Sequence, residues 1–246
     1  MNLLVTGASR GIGRATALLA GARGWSVSVN YNGSEAAAHE VVAEIGKRGG
    51  RAVAIRGDVA VEADVIAMFD AAEAQLGPLE GVVVNAGIIG PKQTLAEMSV
   101  ERMKRIFDVN VLGAYLCARE AARRLPRDRG GRGGAIVLVS SAAVRLGAGG
   151  EYVDYVGSKA PMDTLAVGLA KELGLQGVRV NAVRPGLIET DIHASGGQPD
   201  RARRLGATTP IGRPGTADEV AEAIVWLLSD ASSYVTGAVL DVSGGR

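Results

Sequence analysis

Tyr155 and Lys159 stand four residues apart, a spacing that puts both side chains on one face of a helix. Together they can move a proton. A free tyrosine ionises at about pH 10, too high to give and take protons readily near neutrality. A neighbouring ammonium favours the phenolate and draws the tyrosine toward working pH. Such a pair suits a reaction in which charge builds on an oxygen, as when hydride adds to a carbonyl carbon and the oxygen then needs a proton. Taken alone, it also reads as an ordinary helix-surface pair. Ser141 follows the apolar run Ile136–Val139, and its hydroxyl could steady the same oxygen. Ser140 is the rival, and for either serine the plain alternative is closing a turn.

A second chemistry lies in Thr6-Gly7-Ala8-Ser9-Arg10-Gly11-Ile12-Gly13. Glycine lets a backbone turn sharply and approach a ligand closely. The helix that follows offers free N–H groups and a positive dipole end to a pyrophosphate. The spacing differs from the common Gly-x-Gly-x-x-Gly fingerprint, and an ordinary glycine-rich turn is the alternative. At the end of the next strand a carboxylate would bind a ribose 2′-hydroxyl and repel a 2′-phosphate. Here the chain reads Asn30-Tyr31-Asn32-Gly33-Ser34, with no acid before Glu35. Arg10 could pair with a 2′-phosphate or be a solvated arginine. These features favour NADP(H). The asparagines could serve ribose hydroxyls, which leaves NAD(H) open.

Placing these groups requires a framework. Seven short apolar runs fit strands: Leu3–Val5, Trp25–Val29, Val53–Ile55, Val82–Val84, Ile136–Val139, Val178–Val183 and Val239–Val242. Several are apolar on both parities, as strands buried on both faces are. Helical segments alternate with them: Gly13–Ala22, Glu35–Arg48, Asp64–Leu76, Ser99–Leu125, Tyr155–Leu173 and Thr216–Leu228. The last opens on a capping box, Thr216 with Glu219. The alternation predicts an α/β fold with a doubly wound parallel sheet and helices on both faces. Ligands then sit beyond the carboxyl ends of the strands. The polar stretch 189–213 reads as a mobile flap beside the site, and 127–134 as a loop.

A chain of 246 residues with 35 glycines and 47% hydrophobic content fits one domain over 1–246. A net charge of +1 provides no global field for nucleic acid or an anionic membrane. No apolar run reaches membrane-spanning length, and the start lacks the form of a signal peptide. Cys117, the sole cysteine, allows no internal disulfide and fits a reducing compartment. A soluble, cytoplasmic protein is expected. His39 and His193 are the only histidines and neither forms a cluster of metal ligands in the sequence, so no metal site is expected.

Tyr155-x-x-x-Lys159 joins Thr6-Gly7-x-x-x-Gly11-x-Gly13, Asp58-Val59, Asn85-Ala86-Gly87, Asn110, Ser141 and Pro185-Gly186 in order along the chain. With Pro210-Ile211-Gly212-Arg213, Tyr234-Val235-Thr236-Gly237 and Asp241-Val242-Ser243-Gly244-Gly245, the set resembles the short-chain dehydrogenase/reductase family from end to end. The resemblance implies a Rossmann fold, a catalytic set of Asn110, Ser141, Tyr155 and Lys159, and a small carbonyl or alcohol substrate. It favours Ser141 over Ser140. It implies that Asn110 bends its helix around a relay water and that Lys159 also holds the nicotinamide ribose. Cofactor contacts are implied for Gly7, Ser9, Arg10, Gly11, Ile12, Gly13, Tyr31, Asn32, Asp58, Val59, Asn85, Ala86, Gly87, Tyr155, Lys159, Pro185, Gly186, Ile188 and Thr190. A homotetramer built on the two long helices and the last strand is also implied.

Two branches fit: 3-oxoacyl-carrier-protein reductase-like enzymes and sugar or polyol dehydrogenases, with a non-catalytic dinucleotide-binding protein as a remote third. The run Arg123, Arg124, Arg127, Arg129 and Arg132 is either a solvated surface or a docking face for an acyl-carrier protein. Ser141 and Tyr155 are 14 positions apart, one more than the usual family spacing, which places the departure in the loop 144–154 beside the substrate. Pro161 predicts that Tyr155 and Lys159 open their helix or that it kinks there.

Overall fold

The computed structural model describes residues 1–246. In chain order the main elements are β1 (Asn2–Val5), α1 (Gly11–Ala22), β2 (Ser26–Tyr31), α2 (Glu35–Lys47), β3 (Arg51–Arg56), α3 (Glu62–Leu76) and β4 (Gly81–Val84). Then come α4 (Val100–Phe107), α5 (Gly113–Arg124), β5 (Gly134–Val139), α6 (Ala143–Leu146), α7 (Val153–Lys159), α8 (Pro161–Leu173) and β6 (Val178–Pro185). The chain ends with α9 (Ile192–Ser195), α10 (Arg201–Gly206), α11 (Ala217–Leu228) and β7 (Val239–Val242).

The seven strands form one sheet in the order β3-β2-β1-β4-β5-β6-β7, and every pairing is parallel. Side-chain alternation splits the core in two. Leu4, Val82, Val84, Ile136 and Leu138 face α3, α5 and α8. Leu3, Val5, Val83, Val137 and Val139 face α1, α2 and α11. Both faces are covered, which is why the strands read as nearly continuous apolar runs. Strand order reverses beside β1, where β2 lies on one side and β4 on the other. That reversal opens a crevice at the carboxyl ends. The capping box is present, with Glu219 N donating to Thr216 Oγ1 at 3.2 Å and Thr216 N to Glu219 Oε2 at 2.8 Å.

Three segments differ from expectation. The helix expected over 99–125 is interrupted by a π turn at Asp108–Leu112, centred on Asn110. The helix expected over 155–173 begins earlier, at Val153, and is divided at Ala160, because Pro161 has no N–H to continue the ladder. The stretch 189–213 is not a bare loop, since it carries α9 and α10.

Candidate active site

The first part of the site is made of backbone. Gly7 and Gly11 adopt φ of +63° and +55°, where glycine carries no Cβ strain. Gly13 is needed for space: a Cβ there would lie 2.5 Å from the Gly7 carbonyl oxygen and 2.6 Å from Asn85 Nδ2. Side chains behind the turn hold it still. Asn85 Nδ2 donates to the carbonyls of Thr6 (2.8 Å) and Gly7 (3.2 Å). Buried Thr6 Oγ1 accepts from the amides of Asn85 (2.9 Å) and Ala86 (3.0 Å). Asn30, also buried, accepts from Gly7 N at 3.1 Å and donates to the carbonyls of Ile55 (3.3 Å) and Gly57 (3.1 Å). The free amides at the head of α1 are thus aimed at the crevice.

That crevice is lined by Gly7, Ser9, Arg10, Gly11, Ile12, Tyr31, Asn32, Asp58, Val59, Asn85, Ala86, Gly87 and Thr190. Two sequence expectations change. Gly13 does not line it and serves close packing instead. Asn30 lines it, but its amide is already engaged by four backbone partners rather than free for ribose hydroxyls. Arg10 is exposed at the mouth, and Asp58 Oδ2 lies 3.5 Å from Arg105 Nη2.

A second cleft, of about 160 Å³, shares Ile12, Asn85, Gly87, Thr190 and Ile192 with the first. Its wall includes Ser141, Tyr155, Lys159, Pro185, Gly186 and Ile188. Lys159 Nζ donates to the Val139 carbonyl at 2.8 Å. Ser141 Oγ accepts from Ala143 N at 3.2 Å and lies beside the Tyr155 hydroxyl. Ser140 also lines this cleft, and its hydroxyl donates to the Lys159 carbonyl at 3.2 Å, tying the end of β5 to the end of α7 rather than closing a local turn.

Asn110 lines neither cleft. Its Oδ1 accepts from Ile88 N (2.8 Å), and its Nδ2 donates to Ile88 O and to Ser158 Oγ, both at 2.9 Å. Ser158 Oγ donates in turn to the Tyr155 carbonyl at 2.7 Å. Asn110 therefore stands one layer behind the cleft, joining the strand-end loop after β4 to α7. Gly87 separates it from the lysine: a Cβ there would lie 3.2 Å from Lys159 Nζ and 3.3 Å from Asn110 Oδ1.

Residues 7–246 match the family model described as enoyl-(acyl carrier protein) reductase. The chain is 51% identical over 243 residues to the uncharacterized oxidoreductase YgfF of Escherichia coli (strain K12), covering 99% of this chain and 98% of that protein. It is 41% identical to an L-rhamnose 1-dehydrogenase (NAD(P)(+)) of Sphingomonas sp. (strain SKA58), covering 99% and 94%. It is 38% identical to an NADPH-dependent aldehyde reductase-like chloroplastic protein of Arabidopsis thaliana, covering 98% and 92%. The chain belongs to the short-chain dehydrogenase/reductase family. It is an oxidoreductase of a family that uses NAD(P).

In this short-chain dehydrogenase/reductase the cleft disfavours charge. Burial pushes the Tyr155 phenol up to about 12, against the pull of the Ser141 hydroxyl. Burial also pulls Lys159 down to about 8. The expected lysine-driven lowering of Tyr155 is therefore not the dominant influence here. A site that excludes water penalises phenolate and ammonium alike, and the ammonium is directed at a carbonyl. When bound, the oxidised nicotinamide would supply a further positive charge to this cleft.

Several residues of the dehydrogenase site escaped the sequence reading. Asp154 (1% exposed side chain) forms a two-point ion pair with Arg102, Nε–Oδ2 2.8 Å and Nη2–Oδ1 3.2 Å. It also accepts from Tyr155 N at 2.9 Å, so it pins the head of α7 under the tyrosine. Tyr152, His193, Arg201 and Arg246 complete the second cleft. Tyr152 lies in the loop expected beside the substrate, whereas His193 on α9, Arg201 at the start of α10 and Arg246 are distant in sequence from Tyr155.

Proposed function

We propose that this enzyme transfers hydride between NADP(H) and a small carbonyl or alcohol, with Tyr155 as acid and base. The observation that carries the reading is the continuity of the two clefts. Gly87 and Ile12 lie on both walls, so a ligand lying along α1 reaches the group formed by Ser141, Tyr155 and Lys159. The residues fit NADP(H): the turn admits no Cβ at Gly13, no carboxylate ends β2, and Arg10 stands exposed at the mouth without an ion-pair partner. Bound NADPH supplies the hydride. Tyr155 then delivers a proton to the substrate oxygen while Ser141 donates a hydrogen bond to it. Lys159 holds the proton balance beside them, Asn110 positions α7 through Ser158, and residues 189–213 cover the substrate.

The wall bears Ile89, Leu146, Val156 and Ile192 and no acidic side chain, which suits an apolar substrate body better than the many hydroxyls of a sugar. The arginine run offers little to an acyl-carrier protein. Arg123 pairs with Glu120 at 2.8 Å, Arg124 with Asp70 (2.8 Å) and Glu73 (2.9 Å), and Arg129 donates to the Ala122 carbonyl at 3.1 Å. It also precedes β5, at the amino ends of the strands and so opposite the clefts. Exposed Val100, Phe107, Leu112 and Tyr115 on α4, the π turn and α5 support a homotetramer through that face. No helix is long and apolar enough to cross a membrane, and a cytoplasmic site of action belongs to the same proposal.

The test is consumption of NADPH and of NADH with a panel of aldehydes, ketones and sugars, followed by its absorbance, on wild type and Tyr155→Phe. NADPH should be preferred. Tyr155→Phe should lower turnover about 10²–10⁴-fold with NADPH affinity kept. Near wild-type activity in the variant refutes Tyr155 as acid and base, and equal or tighter NADH binding refutes the cofactor preference.

A further inference from the structure

The second cleft has an unusual charge inventory. Lys159, Arg201 and Arg246 are its charged lining residues, and no aspartate or glutamate joins them. Two of the three cations are already engaged. Lys159 lies against the Val139 carbonyl beside Tyr155. Arg201 pairs with Glu151 Oε2 at 2.7 Å through Nη2 and 2.9 Å through Nη1, and it stacks over the Tyr152 ring at 5.3 Å. His193 holds its Nε2 at 2.9 Å from the Ile188 carbonyl, which fixes that nitrogen as a donor.

Arg246 is different. It makes no ion pair, and its Nη1 is buried without a hydrogen-bond partner. A buried guanidinium nitrogen left without an acceptor is unfavourable and rarely tolerated unless something completes it. Its base is nonetheless firmly held. The Arg246 carbonyl accepts from Arg145 Nη2 at 2.8 Å and from Ser243 Oγ at 2.9 Å. The side chain is thus delivered to the substrate wall from an anchored backbone.

We infer that the substrate is a hydroxy acid or keto acid whose carboxylate is read by the Arg246 guanidinium. A guanidinium fork matches a carboxylate in two parallel hydrogen bonds. The apolar wall accommodates a short hydrocarbon body, and no aspartate or glutamate on the wall repels the anion. This rests on the proposed function only for which end of the substrate reacts. The anion subsite stands on Arg246 by itself.

The test uses the full chain and hexanoate with its neutral isostere hexanamide as probes, in calorimetric titrations of wild type, Arg246→Gln and Arg246→Lys. Hexanoate should bind wild type about tenfold or more tighter than hexanamide. Arg246→Gln should abolish the gap, and Arg246→Lys should keep part of it by retaining the charge. In turnover, levulinate should exceed its methyl ester in kcat/KM by a similar factor, expressed in KM. Equal binding of hexanoate and hexanamide to wild type overturns the inference with no variant needed, and so does a gap that survives in Arg246→Gln. If no carbonyl or alcohol is turned over while the gap is present, the proposed function fails and the subsite stands. If ketones are reduced through Tyr155 while the gap is absent, the reverse holds.

Discussion

The two clefts are built from different materials. The nucleotide side is shaped by main chain: left-handed glycines at 7 and 11, a bare Cα at Gly13, and amides at the head of α1, all braced by Thr6, Asn30 and Asn85. The substrate side is shaped by side chains that bridge loops. Arg201 reaches Glu151, Tyr152 Oη donates to the Gly196 carbonyl at 3.2 Å, and Arg102 clamps Asp154 beneath Tyr155. A backbone cradle recognises groups common to every dinucleotide and tolerates little change, because each position has a steric reason. A side-chain bridge can be exchanged without altering the fold. The half proposed to bind the cofactor is therefore rigidly specified, while the half proposed to select the substrate is open to variation.

Substitutions on either side should separate along that line. Asp154→Ala should have the largest effect on stability. It leaves the Arg102 guanidinium uncompensated in a buried setting and removes the acceptor of Tyr155 N, for a loss of about 3–5 kcal/mol. Urea unfolding should measure it, and turnover should fall with NADPH affinity preserved in the folded fraction. A joint loss of cofactor binding would mean that the two sides are not separable. Gly13→Ala comes next, at about 1–3 kcal/mol, since its Cβ meets the Gly7 carbonyl and Asn85. There NADPH affinity should drop well beyond the change in stability, as fluorescence titration would report. Unchanged affinity would deny the cradle its steric basis.

The smallest expected effect lies where the clefts meet. Lys159 has a folded pKa of about 8, depressed from an ordinary 10.5. Between those values the unfolded chain binds more protons, so this group's contribution to stability rises with pH. Lys159→Met should lose that rise. Thermal unfolding at pH 7 and pH 9.5 should show the difference between the two proteins moving in favour of wild type as pH increases. A constant difference would place the ammonium in better-solvated surroundings than its burial implies.

Much of the nucleotide side was legible in the sequence because its signals are local. Glycines at 7, 11 and 13 lie within one turn, and the lack of an acid after Asn30 needs no tertiary knowledge. The bracing of Asn30 was not legible, because its partners at Gly7, Ile55 and Gly57 come from the turn after β1 and from the end of β3. Asn110 was placed by the family resemblance, which implied a bend in its helix, and a π turn stands there. Its depth behind Gly87 was invisible, because the side chain's direction depends on how the helix is docked. On the substrate side the segments 144–154 and 189–213 were legible, but not the contacts between them. Nothing around Glu151 points to Arg201, and Arg246 stands far along the chain from the other groups of its cleft.

By itself, then, the sequence determined the alternation of strands and helices, the glycine turn at the head of α1 and the placing of Tyr155 and Lys159 on one helix. Each depends on periodicity or on backbone allowances within a few residues. Tertiary structure alone decided that burial outweighs the lysine in setting the Tyr155 phenol, that the flap 189–213 is tied to the loop 144–154, and that a guanidinium nitrogen of Arg246 lies buried at the substrate wall without a partner. Those properties come from desolvation and from contacts between segments remote in the chain, and neither exists until the sheet has brought the segments together.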